Sequence, residues 1–325
     1  MNRFLTTVFG GLLAIFMGVG LAWSAGRAWR AIAPSWSNLA SVGAIGHSAT
    51  PGDSISDPND STTVSGFNRI IKYTASQEED LINEAAQALP SGSDTKISAG
   101  AYLVKDLTTG VEYARFNEDK LLPIASLTKL VTAEVARRLI PPETEITLDR
   151  QAVAVYGNTA GFKVGETFTA GDLLYPLLLV SSNDAAQALA DHYGQARFIQ
   201  AMNAFTQSIG AYRTYFSDPS GLSPLNESTA NDMAIIIDWI RAHDPGVIAL
   251  TAQKSKVIRN HVWVNPTHFL SWSYYLGGKN GYTDEADRTA VSLFNVGQSK
   301  DIYVVVVLGS DNRDADVIKL LKKVK

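Results

Sequence analysis

The chain of 325 residues contains no cysteine, which excludes disulfides, thiolate catalysis and cysteine-ligated zinc or iron–sulfur sites. Charge is also sparse, because charged residues are 18% of the chain and the net charge is −4. The sequence therefore lacks the basic surface of a nucleic-acid-binding protein and the high charge of a disordered one. Its five histidines show no metal-binding spacing. We expect no metal, no cofactor and no nucleic-acid partner.

The N-terminal segment is the most hydrophobic part of the chain. Residues 4–23 carry no charge and are long enough, as a helix, to cross a bilayer. We predict that residues 1–30 form a transmembrane anchor, with a cleaved signal peptide as the alternative. The flanking arginines (Arg3, Arg27, Arg30) slightly favour an orientation with the rest of the chain in the cytoplasm. This small charge bias is opposite to the location expected from the function below.

A tether is predicted to separate this segment from the folded domain. Residues 31–66 are rich in Ser, Gly, Asp and Pro and show no sustained hydrophobic period. We expect a flexible linker over 31–66 and a catalytic domain over 67–325.

Strand patterns lie at both ends of the predicted domain and helical patterns lie between them. Two apolar runs (96–105 and 111–116) flank a turn and predict a hairpin. Residues 289–296 and 302–308 are rich in β-branched side chains, and 314–323 is amphipathic. Helical periodicity dominates 125–139 and 171–242, with a Pro/Gly-containing loop at 217–224. The pattern predicts an α+β fold, in which an antiparallel sheet is flanked by helices and a helical subdomain is inserted.

A serine and a lysine at the start of a predicted helix are the first candidates for catalysis. Ser126 and Lys129 are three residues apart and share a helix face. A lysine with a lowered pKa can remove the proton of a serine hydroxyl, and the helix N-terminus offers N–H donors to an oxyanion. The pattern is weak alone, since Ser93 and Lys96 repeat the spacing in a polar stretch.

Two further segments strengthen this interpretation. Ser181 and Asn183 follow an apolar run, and Lys279 begins the sequence Lys-Asn-Gly-Tyr-Thr, which we place at the start of a strand. Together the segments supply a nucleophile with its base, a second hydroxyl with an amide, and a cation beside a glycine.

The ordered set of segments resembles the D-alanyl-D-alanine carboxypeptidases, low-molecular-mass penicillin-binding proteins of serine peptidase family S11. The resemblance is carried by residues 124–130, 161–190, 218–234 and 278–286. It implies a β-lactamase/transpeptidase-like fold and a partner that is a peptidoglycan stem peptide ending in D-Ala-D-Ala. It also implies acylation by β-lactams, and a domain in the bacterial cell envelope outside the cytoplasm.

The resemblance also implies roles for individual residues. Ser126 would be acylated, Lys129 would be its base, and Ser181 would relay a proton to the leaving group. Substrate binding would use Asn183, Lys279, Asn280, Gly281, Tyr282 and Thr283, with the N–H groups of Ser126 and Tyr282 as the oxyanion hole. Arg313 is a further candidate for a carboxylate contact.

One residue departs from the family pattern, which has Thr or Ser where this chain has Asn280. An amide can still donate a hydrogen bond, but its reach differs, so a non-catalytic wall-binding protein is one alternative. A DD-endopeptidase of peptidoglycan crosslinks is another. A class A-like β-lactamase is a third, although Leu222 stands where that class needs a glutamate in Glu-x-x-Leu-Asn. The triplet Ser310-Asp311-Asn312 lies after the lysine strand, and we predict that it is a turn and helix cap.

Overall fold

The computed structural model describes residues 96–157, 160–296 and 301–324. The predicted membrane segment, the linker, the domain start at residue 67 and the helix expected near 78–89 lie outside these ranges and remain predictions. Within the described ranges, no helix is both long and apolar enough to span a membrane.

A five-stranded antiparallel sheet forms the centre of the fold. Its strands are β1 (Ala101–Asp106), β2 (Glu112–Phe116), β9 (Tyr275–Thr283), β10 (Asp287–Phe294) and β11 (Tyr303–Ser310). The order is β2-β1-β11-β10-β9, so segments from both ends of the domain meet in the middle. This confirms the predicted hairpin and the pairing of distant segments. Strand β9, which carries Lys279, lies at one edge, where its outer backbone groups can meet a ligand.

The central strand β11 explains the run of valines near the C-terminus. Val304 and Val306 pack into the core on the helical side of the sheet, whereas Val305 and Val307 pack with Val317 on the other side. A strand covered on both faces needs apolar residues at every position, which is why the run does not alternate.

The helices of the inserted region stand between β2 and β9, and one helix follows the sheet. They are α1 (Thr128–Leu139), α2 (Arg150–Val153), α3 (Ala170–Leu179), α4 (Asn183–Tyr193), α5 (Gln195–Ser208), α6 (Ala230–His243), α7 (Pro245–Thr251) and α8 (Arg313–Leu321). Short paired strands complete this part: β3 (Leu122–Pro123) with β6 (Glu227–Ser228), β4 (Glu145–Thr147) with β5 (Thr167–Thr169), and β7 (Ser255–Ile258) with β8 (His261–Val264).

Two boundaries differ from the sequence-based prediction. The helix expected from residue 125 begins as a 3-10 turn, Ala125–Leu127, before α1 starts at Thr128. The strand carrying Lys279 begins four residues earlier than expected, at Tyr275, because Gly277 and Gly278 pair with β10. A Cβ on Gly278 would lie 2.2 Å from the Val291 carbonyl oxygen, so this close pairing requires a glycine.

Candidate active site

Ser126 lies in the 3-10 turn immediately before α1. The preceding residue, Ala125, has φ +47°, a left-handed conformation that is rare for a residue with a side chain and recurs at functional sites. One helical turn later, Lys129 places its Nζ 2.9 Å from Ser126 Oγ. The sequence spacing therefore brings the predicted nucleophile and base into direct contact.

The amine of Lys129 is fully buried. Burial is the main reason that its pKa falls well below the usual 10.5, and the positive charge of Lys279 lowers it further. Its Nζ also donates to Asn183 Oδ1 at 2.7 Å and to the Ser220 carbonyl at 2.6 Å. A neutral amine has two N–H groups, which can donate to these two oxygens. Its lone pair is then free to accept a hydrogen bond from the Ser126 hydroxyl. The geometry suits a general base.

The Ser220 carbonyl was not predicted to belong to the site. It is positioned by Asp218, whose carboxylate accepts from the N–H groups of Ser220 and Gly221 at 2.6 and 2.7 Å. Gly221 has φ +85°, and a Cβ there would lie 1.9 Å from the Ala125 carbonyl oxygen. The loop therefore packs directly against the nucleophile's turn. The Asp-Pro-Ser-Gly sequence in this loop indicated a segment that resembles the family. It did not indicate that a backbone carbonyl would accept a hydrogen bond from Lys129.

Ser181 and Asn183 join α3 to α4. Ser181 has φ +60°, and its Oγ is buried without a hydrogen-bond partner in the part of the chain that the structure describes. Asn183 Nδ2 donates to the Tyr156 carbonyl at 2.8 Å, which directs Oδ1 towards Lys129. The cap of α4 is Ser182, whose Oγ accepts from Ala185 N and donates to Asp184.

Strand β9 supplies the opposite wall of the cleft. Lys279 Nζ donates to the Asn280 carbonyl at 2.7 Å. Burial lowers the pKa of Lys279 to about 7, and the positive charge of Arg313 contributes to this shift. Asn280 Nδ2 donates to Thr267 Oγ1 at 3.4 Å. Where the family has a hydroxyl, this chain thus has the amide of Asn280, which contacts the loop before β9.

The end of β9 runs beside the nucleophile. A Cβ on Gly281 would lie 2.8 Å from the Ser126 backbone nitrogen, so only a glycine lets the strand pass this close. The next residue, Tyr282, has a largely exposed side chain whose hydroxyl donates to Asp284 at 2.9 Å. Thr283 Oγ1 accepts from Ala286 N at 3.2 Å.

These residues line a single cleft with a volume of about 390 Å³. The predicted residues along it are Ser126, Ser181, Asn183, Lys279, Asn280, Gly281, Tyr282 and Thr283. Lys129 lies buried beneath them. Arg313 lines the same cleft, and so does His268, which no sequence pattern had distinguished from the other histidines. A larger cavity of about 660 Å³ lies near the C-terminal end of α1, and none of the predicted residues lines it.

The triplet before Arg313 forms the predicted turn and cap. Ser310 ends β11, and Asn312 Oδ1 accepts from Ala315 N at 3.2 Å as the N-cap of α8. The triplet therefore does not supply the serine and asparagine of the cleft, although it orients the helix that carries Arg313.

Comparison with known protein families shows which family the chain belongs to. Residues 85–312, more than half of the chain, match the Peptidase_S11 model, described as D-alanyl-D-alanine carboxypeptidase. The chain belongs to this peptidase family. The family membership inferred from the four sequence segments is thus confirmed.

Relatives in the family include both carboxypeptidases and endopeptidases. The D-alanyl-D-alanine endopeptidase of Pseudomonas aeruginosa is 30% identical over 239 residues, which cover 69% of this chain and 76% of the relative. The D-alanyl-D-alanine carboxypeptidase DacD of Escherichia coli is 30% identical over 259 residues, which cover 73% of this chain and 66% of that protein. The chain thus spans between about two thirds and three quarters of these relatives.

Solved structures of the family share the fold. The D-alanyl-D-alanine carboxypeptidase of Mycobacterium tuberculosis matches with a TM-score of 0.65 and 29% identity, covering 72% of this chain and 93% of that one. Penicillin-binding protein D2 of Listeria monocytogenes, solved in a cefotaxime-bound form, matches with a TM-score of 0.64 and 25% identity, covering 70% and 97%. The predicted penicillin-binding, transpeptidase-like fold is confirmed.

Proposed function

We propose that the chain is a serine D-Ala-D-Ala carboxypeptidase that trims peptidoglycan stem peptides. The observation that carries this proposal is the contact of Ser126 with the buried amine of Lys129, in a cleft whose opposite wall holds Lys279. Family membership, and relatives named for this activity, support the same conclusion.

The reaction begins when Lys129 accepts the proton of Ser126. The released Oγ attacks the carbonyl carbon of the penultimate D-alanine, and the oxyanion is stabilised by the N–H groups of Ser126 and Tyr282. The close passage of Gly281 beside the Ser126 nitrogen supports this pairing of donors. Ser181, whose hydroxyl is otherwise unpartnered within the described chain, passes a proton to the leaving amine. The C–N bond breaks, D-alanine leaves, and water then hydrolyses the acyl-enzyme.

Positive charge at one end of the cleft recognises the terminal carboxylate of the substrate. Lys279 and Arg313 supply this charge, and Asn280 and Thr283 offer polar groups beside it. Asn183 Nδ2 donates to a carbonyl oxygen of the peptide once the substrate displaces it from the Tyr156 carbonyl. The edge position of β9 allows the substrate backbone to lie along the strand.

β-Lactams acylate Ser126 by the same attack, and deacylation is slow. Leu222, which stands where the Glu-x-x-Leu-Asn sequence of class A β-lactamases needs its glutamate, lines the cleft and offers no base to activate water. This observation disfavours the β-lactamase alternative. Endopeptidase activity remains the second candidate, because the D-alanyl-D-alanine endopeptidase of Pseudomonas aeruginosa is as similar to the chain as the carboxypeptidase DacD is.

The location we propose is the outer face of the bacterial cytoplasmic membrane. The uncharged run over residues 4–23 is long enough to anchor the chain, and residues 31–66 would then act as a flexible tether between this anchor and the catalytic domain. Membrane fractionation of the full chain, compared with a form lacking residues 1–30, tests this assignment. Recovery of both forms in the soluble fraction contradicts it.

Intact-mass analysis with benzylpenicillin tests the catalytic proposal. The wild type is expected to carry a long-lived adduct that Ser126→Ala lacks, and to release D-alanine from a stem pentapeptide. Rapid penicillin turnover would support a β-lactamase instead, and the absence of any adduct would support a non-catalytic binding protein. Cleavage of crosslinked dimers in preference to pentapeptide would identify an endopeptidase.

A further inference from the structure

The carboxylate end of the cleft joins two segments that are far apart in sequence. One is the loop before β9, where Thr267 and His268 line the cleft, and the other is the start of α8, where Arg313 does so. Asp314, the residue next to Arg313, does not line the cleft but contacts both sides. Its Oδ1 accepts from Arg313 Nε at 2.8 Å, and its Oδ2 lies 2.7 Å from His268 Nδ1.

The bond to Asp314 leaves most of the guanidinium available to a ligand. It uses Nε, one of five N–H donors, so the donors at the two terminal nitrogens remain for a carboxylate. The side chains of Arg313 and Asp314 are 20% and 24% exposed, whereas that of His268 is 80% exposed. The ion pair is therefore partly sheltered, whereas His268 reaches Asp314 from an exposed position, where such a contact adds little to the stability of the protein.

A second contact holds the same loop. Thr267 Oγ1 accepts from Asn280 Nδ2, so the loop is attached to β9 on one side and to α8 on the other. Asn280, where the chain departs from the family pattern, thus helps to hold the loop at this end of the cleft.

We propose that His268 and Asp314 are positioning residues that hold Arg313 and the loop Pro266–His268 in the geometry that recognises the free C-terminal carboxylate of the substrate. The inference rests on the proposed function and names the residues that hold its carboxylate-binding arginine in place. The preference for peptides and β-lactams with a free carboxylate over those with a blocked one then depends on His268 and Asp314. Asp314 is not merely an acidic residue in the first turn of a helix, a role that would be indifferent to the ligand.

Acylation by benzylpenicillin and by its methyl ester tests the inference, because the two differ only in the carboxylate. For His268→Ala and Asp314→Ala, we expect the acylation rate constant for the acid to fall about tenfold, as for a weakened charge-assisted hydrogen bond. The rate constant for the ester is expected to stay the same. Asp311→Ala and His243→Ala are matched controls, since both residues are exposed and neither lines the cleft.

The ratio of the two rate constants separates positioning from a structural role. Equal losses for acid and ester, or an unchanged ratio in both variants, would overturn the inference. His268 is largely exposed, so its removal is expected to leave the melting temperature unchanged even if Asp314→Ala destabilises the protein. His268→Gln keeps an N–H donor for Asp314 and should recover part of the preference for the acid.

Penicillin acylation requires Ser126 but no peptide turnover, so this test is independent of the proposed peptidase activity. If the wild type forms the adduct but releases no D-alanine from pentapeptide, the proposed function fails while the acid-to-ester ratio still decides the inference.

Discussion

Lys129 Nζ lies 2.7 Å from Oδ1 of Asn183, which follows it by 54 residues in the chain. The neutral amide satisfies the buried amine without giving it a counter-charge. Since the pKa of Lys129 is lowered mainly by burial, a neutral partner preserves the unprotonated form that can act as a base.

Asn183→Asp should therefore impair acylation through the charge that it adds. A carboxylate beside Nζ raises the pKa of Lys129, so more of the amine is protonated at neutral pH. We expect penicillin acylation at pH 7 to fall by about 10²-fold, within the usual contribution of a general base, and to recover as the pH rises. The measurement is the acylation rate constant from pH 5 to 10.

Asp184→Asn provides the opposite change, because the charge of Asp184 raises the pKa of Lys129. The rise of the acylation rate constant with pH should occur at lower pH in Asp184→Asn than in the wild type, and at higher pH in Asn183→Asp. Two profiles that move in the same direction, or do not move, would contradict the assignment of Lys129 as the base.

Recognition of a carboxylate should weaken as the pH rises through about 7. Lys279 has its pKa lowered to about 7, so its positive charge is present below that pH and is lost above it. We expect KM for a D-Ala-D-Ala peptide to increase above pH 7 while kcat changes less. Steady-state kinetics from pH 5.5 to 9 provide the measurement.

Arg313→Gln tests the cause of this increase in KM above pH 7, the alkaline limb of the KM profile. Arg313 lowers the pKa of Lys279, so its removal should move the increase in KM to higher pH even though overall affinity declines. Arg115→Gln, at an exposed site away from the cleft, should leave the limb in place. An unmoved limb in Arg313→Gln would assign the titration to another group.

Asn280→Thr should restore the hydroxyl typical of the family at this position. It also removes the amide donor to Thr267, so the loop before β9 loses one of its two attachments. We expect kcat/KM for a D-Ala-D-Ala peptide to change by about tenfold or less, as for one hydrogen bond near a charged ligand, with the change mainly in KM. Asn231→Thr, on α6 and outside the cleft, is the control, because it likewise removes one amide donor, to Asp119. An effect confined to kcat would place Asn280 in the chemical step instead.

Glu134 should make the protein less stable as the pH rises from about 4.5 to 7. Burial raises the pKa of its carboxyl to about 7, and Arg138 only partly opposes this shift. The folded state therefore binds more protons than the unfolded state between the two values, and stability falls as the pH increases. Melting temperatures of Glu134→Gln should lack this part of the decline. Glu112→Gln, at the surface, is expected to show the same decline of melting temperature with pH as the wild type. Identical slopes for Glu134→Gln and the wild type would refute the assignment of this decline to Glu134.

Local patterns in the sequence were sufficient for the long elements. The Asp106–Gly110 turn between apolar runs forms the predicted hairpin, because Asp106 accepts from Thr108 N and Thr109 Oγ1 within the turn itself. In contrast, β3 and β6 are two residues long and pair across more than 100 positions, so neither has a pattern of its own. Their pairing depends on the packing of the helical region against the sheet.

The sequence by itself determined which reactive groups the protein has and in what order. The Ser126–Lys129 spacing predicts that the two side chains lie within one helical turn of each other, and Ser181, Asn183 and Lys279 follow in the order typical of the family. These relationships are short-range or compositional, so they are visible without a fold.

Only the tertiary structure decided how these groups behave. It surrounds Lys129 and Lys279 with the core, which makes their ammonium forms costly and lowers both pKa values. It brings the Ser220 carbonyl to Lys129, and joins Asp314 to His268 across 46 positions. Desolvation and long-range contacts depend on what packs around a residue, and a linear pattern does not contain that information.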